Sequence, residues 1–195
     1  MFNGIIFNQG IVKKINKRSK GIDLFIQSKI KLSSKDDFST HKGKQITNSH
    51  SQKVSHLLRY KNQGILITSK TCNSDNSRLD CRLDGIEKFS PIKFILDKDL
   101  KINLKSNIVK SSKKHTTFIF HNSKNSKKIK KLKLYGHKLI KHEIEPNGYF
   151  DLKKLFKKIY NLGIHNILVE CGRNLTYKML KSNLFLSINI EAKDL

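Results

Sequence analysis

The chain has 195 residues, of which 37% are hydrophobic, which is enough for one domain of ordinary size with an apolar core. Its 40 Lys and Arg against 15 Asp and Glu give a formal net charge of +25, a balance that raises nucleic acid as a partner. Only five of these basic residues are Arg, whereas bidentate contacts to phosphates and bases favour Arg. Nucleic-acid binding is therefore the less favoured interpretation, and most Lys residues are expected to be solvated.

Cysteine usage and hydropathy narrow the class of protein further. Cys72, Cys81 and Cys171 are isolated, without the paired spacing of a zinc site or a disulfide framework. No metal site is expected. The N-terminus has no basic stretch followed by an apolar one, and no apolar run reaches the length of a membrane span. These features predict a soluble, cytoplasmic protein with reduced thiols and no membrane partner.

The first candidate ligand site lies between residues 49 and 82. Asn48 or Ser49 can cap a helix that carries Arg59 near its end. Residues 64–68 (GILIT) predict a strand buried on both faces, followed by a polar loop that contains Thr71 and Asp75. Because ligands bind beyond the carboxyl ends of strands in open sheets, this loop is a candidate site. A simple turn formed at Asp75 and the next residue is the alternative.

The remaining elements follow in order. Residues 92–96 and 116–120 predict strands, and 122–131 an exposed loop. Asp151 can cap a helix that Gly163 ends, with an apolar stripe expected to be core: Leu152, Leu155, Phe156, Ile159 and Tyr160. Residues 164–170 predict a buried strand ending at Glu170, 172–180 a helix, and 184–190 one more strand.

Several short motifs resemble, in order, the reductase domain of bacterial bifunctional riboflavin biosynthesis proteins. They are residues 44–48 (KQITN), 57–59 (LLR), Thr71 with Asp75 and Asn76, 79–82 (LDCR), 90–97 (SPIKFILD) and 167–172 (ILVECG). The resemblance covers about residues 37–190. It implies an α/β, dihydrofolate-reductase-like mixed sheet flanked by helices. It also implies a homodimer that transfers hydride from NADPH to 5-amino-6-(5-phosphoribosylamino)uracil, converting the ribose into a ribityl chain.

The resemblance also implies residue roles. Asp75 would be catalytic, supplying a proton as the ribose opens, or would orient the nicotinamide. Substrate would meet Arg59, Leu79, Arg82 and Glu170, with the forked donors of Arg82 suited to a phosphate. Arg59 as a simple complement of the helix dipole remains the alternative. NADPH would meet Gln45, Thr71, Asp75, Gly172, Arg173, Asn174, Leu175, Thr176, Tyr177 and Lys178.

Residues 1–36 form a separate predicted segment, and 37–195 the reductase domain, truncated at its C-terminus. Residues 1–35 resemble the opening of riboflavin synthase, including its first hairpin, whose residues 2–5 would line a lumazine site. The match is too short to predict synthase activity, and the deaminase motifs of the bifunctional family are absent. Gln45 lies in a motif where that family has a Trp that packs on the cofactor. An active reductase and a non-catalytic remnant therefore both remain open.

Overall fold

The computed structural model describes residues 10–18, 21–28, 49–170, 172–182 and 184. The chain forms two compact units, a terminal unit of residues 1–55 with 172–195 and a central unit of residues 56–171. In chain order the described strands and helices are β1 (Gly10–Arg18), β2 (Gly21–Ser28), α1 (Ser49–Lys61), β3 (Gly64–Thr68), α2 (Ser69–Asp75), β4 (Ile92–Leu96), α3 (Asn107–Lys110), β5 (Thr117–His121), α4 (Ser126–Leu134), β6 (Lys138–Lys141), α5 (Leu152–Asn161), β7 (Ile167–Val169) and α6 (Arg173–Lys181).

The terminal unit contains the predicted hairpin. Strands β1 and β2 pair antiparallel from Gly10 opposite Ser28 to Arg18 opposite Gly21, with an irregularity between Val12 and Lys14. The likeness of this segment to riboflavin synthase stays a prediction, and residues 2–5 lie outside the described residues. The predicted helix after Gly172 is present as α6. Of the strand predicted at 184–190, only Leu184 is described.

The central unit is built on a parallel five-stranded sheet with the order β6-β5-β4-β3-β7. The strands predicted at 64–68 and 92–96 are confirmed, and that predicted at 116–120 is confirmed within a residue. Their β-branched and aromatic residues suit a sheet that is covered on both faces, and β5 is buried along its whole length. Strand β7 is shorter than the predicted 164–170 and is followed by the bond from Glu170 N–H to Leu66 O, 3.0 Å.

Side chains alternate between the two faces of the sheet. One face carries Ile65, Ile67, Ile95 and Ile119, which form the main apolar core with residues of the surrounding helices. The other face carries aromatic rings, among which Phe94 and Phe118 stack with their centroids 5.3 Å apart. This burial of apolar surface is the main source of stability for the central unit.

Two segments predicted as loops are helical. Helix α2 replaces the polar loop after β3, because the Thr68 side chain accepts a hydrogen bond from Thr71 N–H and so caps its first turn. Helix α4 occupies much of the loop predicted at 122–131, capped by the Asn125 side chain and held by Leu132, which is buried in the core. In both cases a cap and core contacts outweigh a polar composition.

Helix α5 follows its predicted limits. The Asp151 side chain accepts from Lys154 N–H at its start, and Gly163 adopts a left-handed conformation just past its end. Leu152, Leu155 and Ile159 are buried as predicted. The prediction for Tyr160 is wrong: it is 62% exposed, and its ring packs edge-on against His165.

Candidate functional site

Three polar residues end or follow neighbouring strands at the carboxyl edge of the central sheet. Thr68 ends β3, Asp97 follows β4 on one side, and Glu170 follows β7 on the other. Strand β7 is the last strand of the unit in sequence, yet it pairs with β3, the first. The carboxyl ends of adjacent parallel strands are where open α/β sheets bind ligands. This edge is therefore the candidate ligand site.

Arg59 and Glu170 form a bidentate ion pair at this edge. Arg59 Nε lies 2.9 Å from Glu170 Oε1, and Nη2 lies 3.1 Å from Oε2. Arg59 Nη1 lies 3.5 Å from the Asp80 carbonyl oxygen, so the whole guanidinium fork faces acceptors. The side chains are 13% and 30% exposed, respectively. The pair is thus partly desolvated and fixed in orientation, while one side of the carboxylate remains open to solvent.

His56 joins Arg82 to the same cluster. Its Nδ1 lies 3.1 Å from the Asp80 carbonyl oxygen, and its Nε2 lies 3.4 Å from Arg82 Nη2. Burial, followed by the charges of Arg59 and Arg82, lowers the pKa of His56, so the imidazole is neutral at physiological pH. Arg82 itself is exposed, and no carboxylate of the described residues forms an ion pair with it. It is the open cation of the site.

The carboxylate of Asp97 is structural, because its hydrogen bonds are all made within the protein. Its side chain accepts hydrogen bonds from Lys101 N–H at 2.7 Å, Ile102 N–H at 2.8 Å and the Ser69 hydroxyl at 2.9 Å. It is 2% exposed. The carboxylate therefore ties the loop after β4 to the start of α2 and fixes the shape of this edge.

Thr71 and Asp75 lie at opposite ends of α2. The Thr71 and Thr68 hydroxyls are 2.9 Å apart, in the first turn beside the sheet edge. Asp75 is the last helical residue, and Asn76 after it forms the left-handed C-cap. Asp75 is partly buried and makes no ion pair with Arg59 or Arg82. The pKa of the Cys72 thiol is raised to about 12, first by burial, then by the charge of Asp97 and then by that of Asp75. Its catalytic role stays a prediction.

Leu79 is 2% exposed and has a φ of 58°, in the left-handed region that few residues other than glycine adopt. It belongs to the apolar core, where it anchors the start of the segment that carries Asp80 and Arg82. A strained backbone next to the cluster is consistent with a constrained site.

The other predicted cofactor residues belong to the terminal unit. Gln45 lies outside the described residues. The carbonyl of Gly172 accepts from the amides of Leu175 and Thr176 in the first turn of α6, and the backbone of Arg173 begins that helix. Asn174 is exposed, Leu175 is buried, and Tyr177 and Lys178 are partly buried. Their role towards NADPH stays a prediction.

Three residues of the central unit were not singled out from the sequence: His56, Asp80 and Lys93. His56 precedes Arg59 by three residues and so shares its helical face, which is a usable signal. Lys93 is fully buried in β4, with Nζ 3.5 Å from the Ser111 hydroxyl. Burial lowers its pKa to about 8, an effect that the nearby charge of Asp80 opposes. A lone Lys in an apolar strand gave no indication of such burial.

Within the described residues there is neither a metal site nor a membrane-spanning helix. Their His, Cys, Asp and Glu side chains form no group that could hold a metal ion. No helix within the described ranges is both long and apolar enough to cross a bilayer.

A parallel sheet flanked by helices, with a fixed ion pair and an open arginine at its carboxyl edge, defines a domain of the α/β class with a candidate ligand site at that edge. Residues 35–190 match the family model described as the RibD C-terminal domain. The chain belongs to that family. This confirms the resemblance seen in the sequence, over almost the same residues.

Individual relatives agree with the family assignment. The chain is 30% identical over 146 residues to the riboflavin biosynthesis protein RibD of Aquifex aeolicus, which covers 75% of this chain and 39% of that protein. The chain therefore spans about two fifths of the length of this relative.

Solved structures show the fold. A pyrimidine reductase-like protein from Corynebacterium diphtheriae superimposes with a TM-score of 0.60 at 17% identity, over 73% of this chain and 64% of that one. A diaminohydroxyphosphoribosylaminopyrimidine deaminase/5-amino-6-(5-phosphoribosylamino)uracil reductase from Thermotoga maritima does so with a TM-score of 0.52 at 22% identity, over 73% and 37%. The fold of the chain is the dihydrofolate-reductase-like α/β fold that the family resemblance implies.

Proposed function

We propose that this chain is an NADPH-dependent reductase that converts 5-amino-6-(5-phosphoribosylamino)uracil into its ribitylamino product in riboflavin biosynthesis. The observation that carries the proposal is the cluster at the carboxyl edge, where the Arg59–Glu170 ion pair lies beside the open cation Arg82. Membership of the RibD C-terminal domain family supports the reaction class, and the name of the Thermotoga maritima reductase supports the substrate.

The cluster supplies complementary groups for such a substrate. Arg82 has a forked, always charged guanidinium with only Nη2 directed at His56, so its other donors can bind the phosphate. The Arg59 fork is filled by Glu170, so Arg59 serves the substrate by fixing this carboxylate. Glu170 then accepts hydrogen bonds from ribityl hydroxyls or from the pyrimidine. Leu79, anchored in the apolar core, is proposed to fix the start of the segment that carries Arg82.

The reaction adds a hydride to the anomeric carbon of the ribose and a proton to the ring oxygen as the ring opens. NADPH supplies the hydride. Asp75 is proposed to supply the proton or to orient the nicotinamide carboxamide. Thr71, Gln45 and residues 172–178 are proposed to hold the cofactor, with the start of α6 offering backbone N–H groups to its pyrophosphate. The net charge of +25 favours encounter with both anionic reactants.

The family resemblance also suggests a homodimer, which sedimentation of the full chain would test. The free, buried thiols of Cys72 and Cys81 fit a reducing compartment, and we place the reaction in the cytoplasm.

The direct test is oxidation of NADPH with the ribosylaminopyrimidine phosphate, followed by absorbance and by mass analysis of the product. Arg82→Met should raise KM by about a hundredfold, because a charge-assisted bidentate contact to phosphate is lost. Asp75→Asn should lower kcat. Arg78→Met provides the control, since Arg78 is an exposed neighbour of the same type and the same charge is removed. Equal kinetics for Arg82→Met and Arg78→Met would refute the phosphate role.

A second candidate is a remnant that binds a nucleotide without turnover. Gln45 is the reason for this candidate, because its amide cannot replace the stacking surface of the Trp found in the bifunctional riboflavin biosynthesis proteins. NADPH binding by calorimetry, with no product from folded protein, would establish the remnant and refute the reductase. Gln45→Trp should then tighten NADPH binding.

A further inference from the structure

His56 occupies a central place in the cluster at the sheet edge. It lies one helical turn before Arg59 on α1 and is 9% exposed. Its ring reaches the segment of residues 80–82 on two sides, with Nδ1 next to the Asp80 carbonyl and Nε2 next to Arg82 Nη2. It is the only described side chain that joins α1 to the guanidinium of Arg82 through a hydrogen bond.

The partners of the ring select one tautomer. An arginine side chain is always a donor, so Nε2 accepts from Arg82 Nη2 only in the tautomer that leaves Nε2 unprotonated. Nδ1 then carries the proton and donates it to the Asp80 carbonyl oxygen at 3.1 Å. The tautomer protonated on Nδ1 forms two of these three hydrogen bonds and leaves Arg82 N–H, 3.3 Å from Nδ1, without this acceptor. The opposite tautomer would form only the bond from Arg82 N–H and would face two N–H donors across 3.4 Å. It would also leave the Asp80 carbonyl without this donor.

We propose that His56 is a positioning residue that holds the Arg82 guanidinium in place for the phosphate of the substrate, through a neutral imidazole protonated on Nδ1. The inference rests on the proposed function, because it takes Arg82 as the phosphate anchor. The reason is entropic as well as geometric: an exposed arginine loses rotamer freedom when it binds, and a fixed acceptor lowers that cost. Burial, followed by the charges of Arg59 and Arg82, lowers the pKa of the His56 ring and so favours its uncharged form, whereas the charge of Asp80 opposes this.

Two variants separate this role from a purely structural one. His56→Gln places an amide oxygen near the position of Nε2, where it can accept from Arg82. His56→Asn places its amide near the position of Nδ1, where it can donate to the Asp80 carbonyl but not reach Arg82. If His56 acts by positioning Arg82, the glutamine variant should keep phosphate binding and the asparagine variant should lose it. If His56 acts only by supporting residues 80–82, the asparagine variant should be the one that keeps it.

The experiment measures the Kd for ribose 5-phosphate and the KM for the full substrate in wild type, both variants and Arg82→Met. We expect His56→Asn to weaken both by about tenfold, the size of one lost hydrogen bond to a charged group, and His56→Gln by less than threefold. On acidification below about pH 6 the KM should rise more steeply in wild type than in His56→Gln, because the pKa of His56 lies below the usual histidine value of about 6.5. Protonation of the substrate phosphate, whose second pKa is about 6, raises KM equally in both proteins. Unchanged values in His56→Asn, or a larger loss in His56→Gln, would overturn the proposal.

Nitrogen NMR of the histidine side chains gives a readout that does not depend on turnover. We expect His56 to be protonated on Nδ1, and its pKa to rise in Arg82→Met but not in Arg78→Met. A ring protonated on Nε2 would overturn the inference. The protein could show no turnover while its Kd for ribose 5-phosphate changes in the His56 variants as expected. That result would support the positioning role and refute the reductase function separately.

Discussion

Lys93→Met is expected to stabilise the folded chain at neutral pH. Lys93 is 0% exposed in β4, and its Nζ has one long hydrogen bond, 3.5 Å to the Ser111 hydroxyl. No carboxylate of the described residues lies within ion-pair distance of it. A buried charge with such poor compensation costs free energy, whereas methionine fills a similar volume without a charge.

The magnitude follows from the pKa. Burial lowers the pKa of Lys93 from 10.5 to about 8, and each pH unit corresponds to 1.36 kcal/mol, so the penalty at pH 7 is about 3 kcal/mol. The unfolded chain binds the proton below pH 10.5, but the folded chain binds it only below about pH 8. The penalty is therefore complete below pH 8 and disappears as the pH rises to 10.5.

Urea unfolding followed by circular dichroism at pH 7 and near pH 10 tests this reasoning. Lys93→Met should raise the free energy of unfolding by about 3 kcal/mol at pH 7 and by much less near pH 10. Lys110→Met is the matched control, because it removes an exposed lysine and should change stability by less than about 0.5 kcal/mol. A loss of stability in Lys93→Met, or the same gain at both pH values, would refute the argument.

Three further predictions concern residues that shape the central unit. Asp97→Ala should lower the free energy of unfolding by about 3 kcal/mol or more, since three donors lose a buried carboxylate; a loss below 1 kcal/mol in urea would contradict this. Asp151→Ala should cost about 1 kcal/mol by removing the N-cap of α5, and thermal unfolding that matches wild type would speak against the cap. Because burial raises the pKa of Cys72 to about 12, peptide mass spectrometry should find this thiol unlabelled by iodoacetamide until urea is added; rapid native labelling would be the contrary result.

Local patterns in the sequence were sufficient for the elements that carry their own signals. The apolar runs of β3 and β4 are recognisable because parallel strands are buried on both faces. Helix α5 is recognisable because Asp151 and Gly163 supply its cap and its end locally. Helices α2 and α4 are not, because their polar composition resembles a loop and their stability comes from contacts with the core.

The family and its ordered motifs were also available from the sequence alone, and they singled out Arg59, Arg82 and Glu170. Only the tertiary structure decided what these groups do to one another. Arg59 and Glu170 are 111 positions apart, and their ion pair exists because β7 pairs with β3 and brings the end of the central unit back to its beginning. His56 shares the helical face of Arg59, but its hydrogen bonds to Asp80 and Arg82, 24 and 26 positions away, depend on how the chain folds, which local periodicity does not encode.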